Sequence, residues 1–113
     1  MNLEISNANG YVLAQVSGEL NAQSAPEFAD ALLEYALGEE AQLVIDLSNL
    51  KAIDSTGLSV LINLAARSRM SSGRLLLANP TPLIQGVLEV SRLNQFFDIY
   101  DTVADADQAM QNA

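Results

Sequence analysis

Leu43-Val44-Ile45-Asp46-Leu47, followed after a short polar link by Ile53-Asp54-Ser55-Thr56-Gly57-Leu58, is the stretch that decides the fold. Its first part is a compact apolar run rich in β-formers, as in a buried, central strand. Its second part sets three N-cap formers, Asp54, Ser55 and Thr56, at the start of a helical pattern. In that pattern Leu58, Leu61, Ile62 and Ala65 share one face, with Val60 and Leu64 to the side. Apolar cover this wide predicts a helix packed against two layers.

Downstream, Gly73 closes the helix and Arg74-Leu75-Leu76-Leu77-Ala78 reads as a second buried strand. Asn79-Pro80-Thr81-Pro82 opens a third helix carrying Leu83, Ile84, Val87, Leu88 and Val90. Phe96-Phe97 reads as core, and Phe97-Asp98-Ile99-Tyr100 as a short edge strand. Thr102-Val103-Ala104-Asp105 has the form of a capping box before Val103, Ala106 and Met110. Upstream, residues 2–7 and 11–17 flank Asn9-Gly10 as a hairpin, which Gly18 ends. Ser24-Ala25-Pro26-Glu27 marks a helix start with Ser24 as cap. Ala25, Phe28, Ala29, Leu32, Leu33 and Ala36 form its buried stripe, Gly38 its stop, and Glu27, Asp30, Glu34 and Glu39 lie off the stripe. The order β-β-α-β-α-β-α-β-α predicts an α/β fold, a mixed sheet of about five strands covered by about four helices.

The 113 residues are half hydrophobic, enough for one domain spanning 1–113 with its own core. No stretch approaches the roughly 20 apolar residues of a membrane span. The absence of cysteine and histidine removes thiolate nucleophiles, disulfides, the commonest general base and the commonest zinc ligand. The net charge is −9, and residues 1–50 hold eight acids and no base. Nucleic acid and anionic membranes repel such a chain, and a basic protein partner fits it better. The plain alternative is that the acids serve solubility. The start, Met1-Asn2-Leu3-Glu4-Ile5-Ser6, has neither a basic nor an apolar leader region, so a cytoplasmic location is expected.

Chemistry concentrates at Asp54-Ser55-Thr56-Gly57. A helix start carries unpaired N–H groups and the positive end of the dipole, so it tolerates negative charge. A phosphate on Ser55 or Thr56 adds roughly −1.5 to −2 charge there. Beside Asp54 it would repel an acidic partner surface or a bound nucleotide. The competing explanation is a plain capped helix start in which Gly57 is merely small. A nucleophilic serine elbow would need Gly-x-Ser-x-Gly and a histidine, and a phosphate-binding loop more glycines and a lysine. Asp46 and Asp54 lack a third metal ligand and read as turn or cap residues. Arg67, Arg69 and Arg74 read as solvated charges near a helix C-terminus. No catalytic residue, metal or cofactor is assigned.

In order and spacing, Gly18-Glu19-Leu20, Ser24-Ala25-Pro26-Glu27, Leu43–Ser48, Ile53–Leu58, Gly73–Leu77 and Asn79-Pro80 resemble the STAS domain family. Within it, they resemble the single-domain anti-sigma factor antagonists. The resemblance implies a non-enzymatic, phosphorylation-controlled interaction switch in transcription regulation. Such a protein binds an anti-sigma factor that is also a Ser/Thr kinase and frees a sigma factor or related regulator. The kinase phosphorylates the switch, and a metal-dependent Ser/Thr phosphatase resets it. Carried over by position, the phosphorylated hydroxyl is Ser55 or Thr56, with a slight lean to Ser55. Asp54, Gly57 and Leu58 fall on the docking surface, with the Gly18–Ser24 loop alongside.

The chain departs from the family pattern at Asn21, where Asp is usual, and at Ser59, where Gly is usual. Asn21 keeps a hydrogen-bonding side chain and loses a charge; Ser59 adds a side chain in the first turn. Both belong to the expected partner-binding set. The alternative role is a STAS subunit of a lipid-transport or other transporter ATPase complex, for which no phosphate cycle is required.

Overall fold

The computed structural model describes residues 1–38 and 41–112. Five strands form one sheet in chain order: β1 (Asn2–Ala8), β2 (Tyr11–Leu20), β3 (Gln42–Ile53), β4 (Arg74–Ala78) and β5 (Asp98–Tyr100). β1 and β2 are antiparallel around the Asn9-Gly10 turn, with Ala8 opposite Tyr11. The other neighbours are parallel, each pair joined through a helix. The expected mixed sheet, four helices and central third strand are all present. A short 3-10 turn at Leu93–Gln95, absent from the sequence reading, precedes β5.

Strand alternation gives the sheet two apolar faces. On one, Ala14, Val16, Leu43, Ile45, Leu47, Leu75 and Leu77 meet α1 (Ala25–Leu37), α2 (Ser55–Met70) and α3 (Pro82–Val90). Those helices contribute Phe28 and Leu32, Leu61 and Leu64, and Ile84 and Leu88. On the other, Tyr11, Val44, Leu76 and Ala78 meet Ala106 and Met110 of α4 (Val103–Gln111). Packed against both α1 and the sheet, α2 meets the two layers its wide apolar cover predicts. Glu39, expected off the α1 stripe, lies outside the described residues.

Three boundaries differ from expectation, each for a local reason. Gly18 does not end β2: the strand passes through it at φ +93°, next to a register shift, and continues to Leu20. β3 likewise runs past Leu47 to Ile53, because the far half of β2 pairs with it. At the end of α2 it is Ser72 that adopts the left-handed conformation, φ +61°. Gly73 donates to Ser68 O at 2.7 Å, and a Cβ there would lie 2.5 Å from Ala41 O. Gly73 thus serves a close approach to the start of β3, while Ser72 makes the reversal.

The extension of β2 and β3 positions the site. Leu20 and Ile53 are register partners, so both strands end side by side. The β2–α1 loop and the β3–α2 junction therefore emerge together.

Candidate functional site

Asp54 leaves β3 with extended backbone and is the N-cap of α2, which decides among the three candidate caps. Its Oδ1 accepts from Gly57 N at 2.9 Å and its Oδ2 from Ala22 N at 3.3 Å. Its own N–H donates to Leu20 O at 3.1 Å. One side chain thus caps the helix and ties the β2–α1 loop to it.

Gly57 is buried, and its smallness is required. A Cβ there would stand 2.5 Å from Leu20 O and 2.9 Å from Ile53 Cγ1. The first turn of α2 is pressed against the ends of both strands. Ser55 and Thr56, on the outer side of the same turn, are exposed, and Leu58 is half-buried. Asp54 satisfies Gly57 N, which leaves the N–H groups of Ser55 and Thr56 without intrahelical acceptors. Ser59 is exposed one turn on, and its Oγ donates to Ser55 O at 2.9 Å. Ser55, Thr56 and Ser59 thus make a hydroxyl-rich outer surface on a rigid helix start.

Asn21 is half-buried, and its side chain is turned into its own loop. Oδ1 accepts from Gln23 N at 2.9 Å and Ser24 N at 3.2 Å. Ser24 does not cap α1 with its side chain: Oγ donates to Glu19 O at 2.8 Å and accepts from Asn21 N at 3.0 Å. An Asx turn at Asn21 has recruited the hydroxyl expected at the cap. The structure therefore brings Asn21, Asp54, Ser55, Thr56, Gly57, Leu58 and Ser59 to one end of the sheet. Asn21 shapes the loop, and the hydroxyls stand outward.

Other candidates disperse. Asp46 is buried at 5% exposure and accepts from Ser48 N at 3.0 Å and Gln15 Nε2 at 3.3 Å. Eight residues along the same strand separate it from Asp54, roughly 20 Å or more. Two of the three arginines are not free helix-end charges. Arg69 lies 4.4 Å over the Phe96 ring and donates to Phe96 O, and Arg74 donates to Ala109 O at 2.9 Å. Phe97 is core, while Phe96 is half-buried and meets it edge-on. The tie from Asp54 to Ala22 and the contact beneath Gly57 had no local signal. Only the pairing of β2 with β3 creates them.

The STAS domain profile matches residues 2–106. Over 84 residues the chain is 31% identical to the anti-sigma-B factor antagonist of Listeria monocytogenes, covering 74% of each protein. The crystal structure of an anti-sigma factor antagonist from Mycobacterium paratuberculosis superposes with a TM-score of 0.86 at 24% identity, over 97% of this chain and 93% of that one. The Bacillus cell fate determinant SpoIIAA, solved in its phosphorylated form, superposes with a TM-score of 0.74 at 18% identity, over 96% and 99%. Among the described residues no helix is long and apolar enough to cross a membrane.

Proposed function

Since the chain belongs to the STAS domain family, we propose that it is an anti-sigma factor antagonist working as a phosphorylation-controlled interaction switch. It binds an anti-sigma factor that is also a Ser/Thr kinase, and so releases a sigma factor or related regulator. Phosphorylation of Ser55 or Thr56 ends the complex, and a metal-dependent Ser/Thr phosphatase restores it. The cycle runs in the cytoplasm, and this chain supplies the acceptor and the docking surface rather than catalysis.

The observation that carries this reading is the pair of exposed hydroxyls on a helix start fixed from beneath by Asp54 and Gly57. A protein surface can dock there, and a kinase can reach the same hydroxyls. An added phosphate gains from the helix dipole but stands beside the Asp54 carboxylate. It brings concentrated negative charge to the centre of the interface, where like-charge repulsion from the phosphates of a nucleotide bound by an otherwise basic partner costs several kcal/mol.

Binding to the purified anti-sigma factor tests this. Joint Ser55→Ala and Thr56→Ala substitution should leave affinity within a few-fold of wild type, since no charge is introduced. Joint Ser55→Asp and Thr56→Asp substitution should weaken it tenfold or more. Equal binding by both variants contradicts an electrostatic switch at this turn. Tight binding with no phosphate acceptance by the wild type favours a structural subunit instead.

A further inference from the structure

A partner docked on the Ser55 and Thr56 turn needs an apolar anchor, and the turn itself offers little. Asp54, Ser55, Thr56 and Ser59 are polar and exposed, and Leu58 is half-buried. A specific interface covers about 800 Å² of each partner, with an apolar core inside a polar rim. One helix turn and a short loop fall short of that area, so the docking surface has to continue past them.

The continuation runs along α2. Thr56, Val60, Asn63 and Arg67 follow one another at helical spacing, on one stripe. The last three, with Leu64, form one wall of a groove of about 180 Å³, and Ala29 and Leu33 of α1 form the other. The two helices stay side by side to their ends, where Ser71 Oγ donates to Ala36 O at 3.4 Å. There Leu37 is 43% and Met70 86% exposed. An apolar furrow thus begins beside Thr56 and runs between α1 and α2.

Charge says what fits it. α1 carries Glu27, Asp30 and Glu34 and no base, whereas α2 carries Arg67 and Arg69 and no acid. Helical spacing puts Asp30 and Glu34 on the outward side of Leu33, and Arg67 lines the groove itself. Arg69 is committed to Phe96. The furrow is therefore apolar at its floor, acidic along the α1 rim and basic at Arg67 on the other. An amphipathic helix of complementary polarity matches it. Apolar residues at helical spacing face the floor, bases lie on the α1 flank, and an acid meets Arg67.

We propose that this α1–α2 furrow is the second half of the docking surface, occupied by an amphipathic helix of the anti-sigma factor. The inference rests on the reading of the Ser55 and Thr56 turn as the first half.

Binding of the full chain to the purified anti-sigma factor tests it. Asp30→Lys with Arg67→Glu exchanges the signs of the two rims at exposed positions and leaves the net charge at −9. Like charges then face each other on both rims, and affinity should fall about tenfold or more. The chain has no cysteine, so single thiols footprint the complex. A maleimide should label Asn63→Cys at least about tenfold more slowly once the anti-sigma factor is bound. Gln108→Cys, on α4 across the sheet, should react at an unchanged rate. Undiminished binding by the exchanged variant, or full reactivity of Asn63→Cys in the complex, overturns the furrow while the switch stands. A wild type that neither binds the anti-sigma factor nor accepts phosphate from it overturns the switch, and the furrow with it.

Discussion

Gly57 occupies a place where no other side chain fits without movement. Its Cβ position is 2.5 Å from a backbone oxygen, and that oxygen belongs to a paired strand. Gly57→Ala should therefore destabilise the fold by about 1–3 kcal/mol despite the better helix propensity of Ala, measured by urea unfolding. Unchanged or raised stability would show that the first turn of α2 is less tightly seated. Asp54 is subtler, because its two oxygens serve different partners. Asp54→Ala should cost about 1–2 kcal/mol through the lost cap alone. Asp54→Asn keeps an acceptor for Gly57 N and should recover most of that in the same assay. The sequence placed three N-cap formers in a row but held nothing local to choose among them. Leu20 O chooses, by fixing the Asp54 N–H, and that oxygen lies 34 residues away. Ser24 shows the converse: its pattern is a good cap, but the Asx turn at Asn21 draws the hydroxyl elsewhere.

Elements were legible where periodicity was strong and less so where long-range pairing extends them. The β3 apolar run announces a central strand, but its last six residues are polar or mixed. They stay extended because Ser17–Leu20 pair with them. The same limit hid the attachment of α4. Tyr11 Oη donates to Asp107 Oδ1 at 2.7 Å, Asn9 Nδ2 donates to the same oxygen at 3.0 Å, and Gln111 Nε2 donates to Asn9 O at 2.8 Å. The hairpin and the last helix thus close on each other across nearly the whole chain. Asn9 and then Tyr11 hold the Asp107 carboxyl below its ordinary value. Its contribution is present above the ordinary carboxylate range and is lost as pH falls through that range and on through the lower folded value. Burial, followed by Asp107, pushes the Tyr11 phenol up to about 12 from 10.0, so its contribution is lost as pH rises between those values. Asp107→Ala should lower the urea midpoint at pH 7, and the gap to wild type should narrow as pH falls through the ordinary carboxylate range and below it. A gap independent of pH would mean that α4 is held by Ala106 and Met110 alone.

For the molecule as a whole, the fold class and the motif order were readable because helices and strands alternate and the turn residues fall between them. The position of the hydroxyls on a helix start was also readable. Their outward presentation was not, since it depends on Gly57 being pressed from below and Asn21 being folded into its own loop. Charge acts at this scale too. The bases all lie beyond residue 50, and Arg69 and Arg74 are committed to Phe96 and to the carbonyl of Ala109. Complex formation with a basic partner surface should therefore weaken as salt rises, by several-fold between about 50 mM and 300 mM, because added ions screen exposed charges. An affinity indifferent to salt would place the binding energy in apolar contacts around Leu58. The central claim is that the exposed turn at Ser55 and Thr56 accepts a single phosphate. Intact-mass analysis after incubation with ATP and the anti-sigma factor kinase tests it most directly. One phosphate on the wild type and none on the Ser55→Ala, Thr56→Ala chain is the expected result; a phosphate that survives the double substitution, or none on a wild type that binds the kinase tightly, contradicts it.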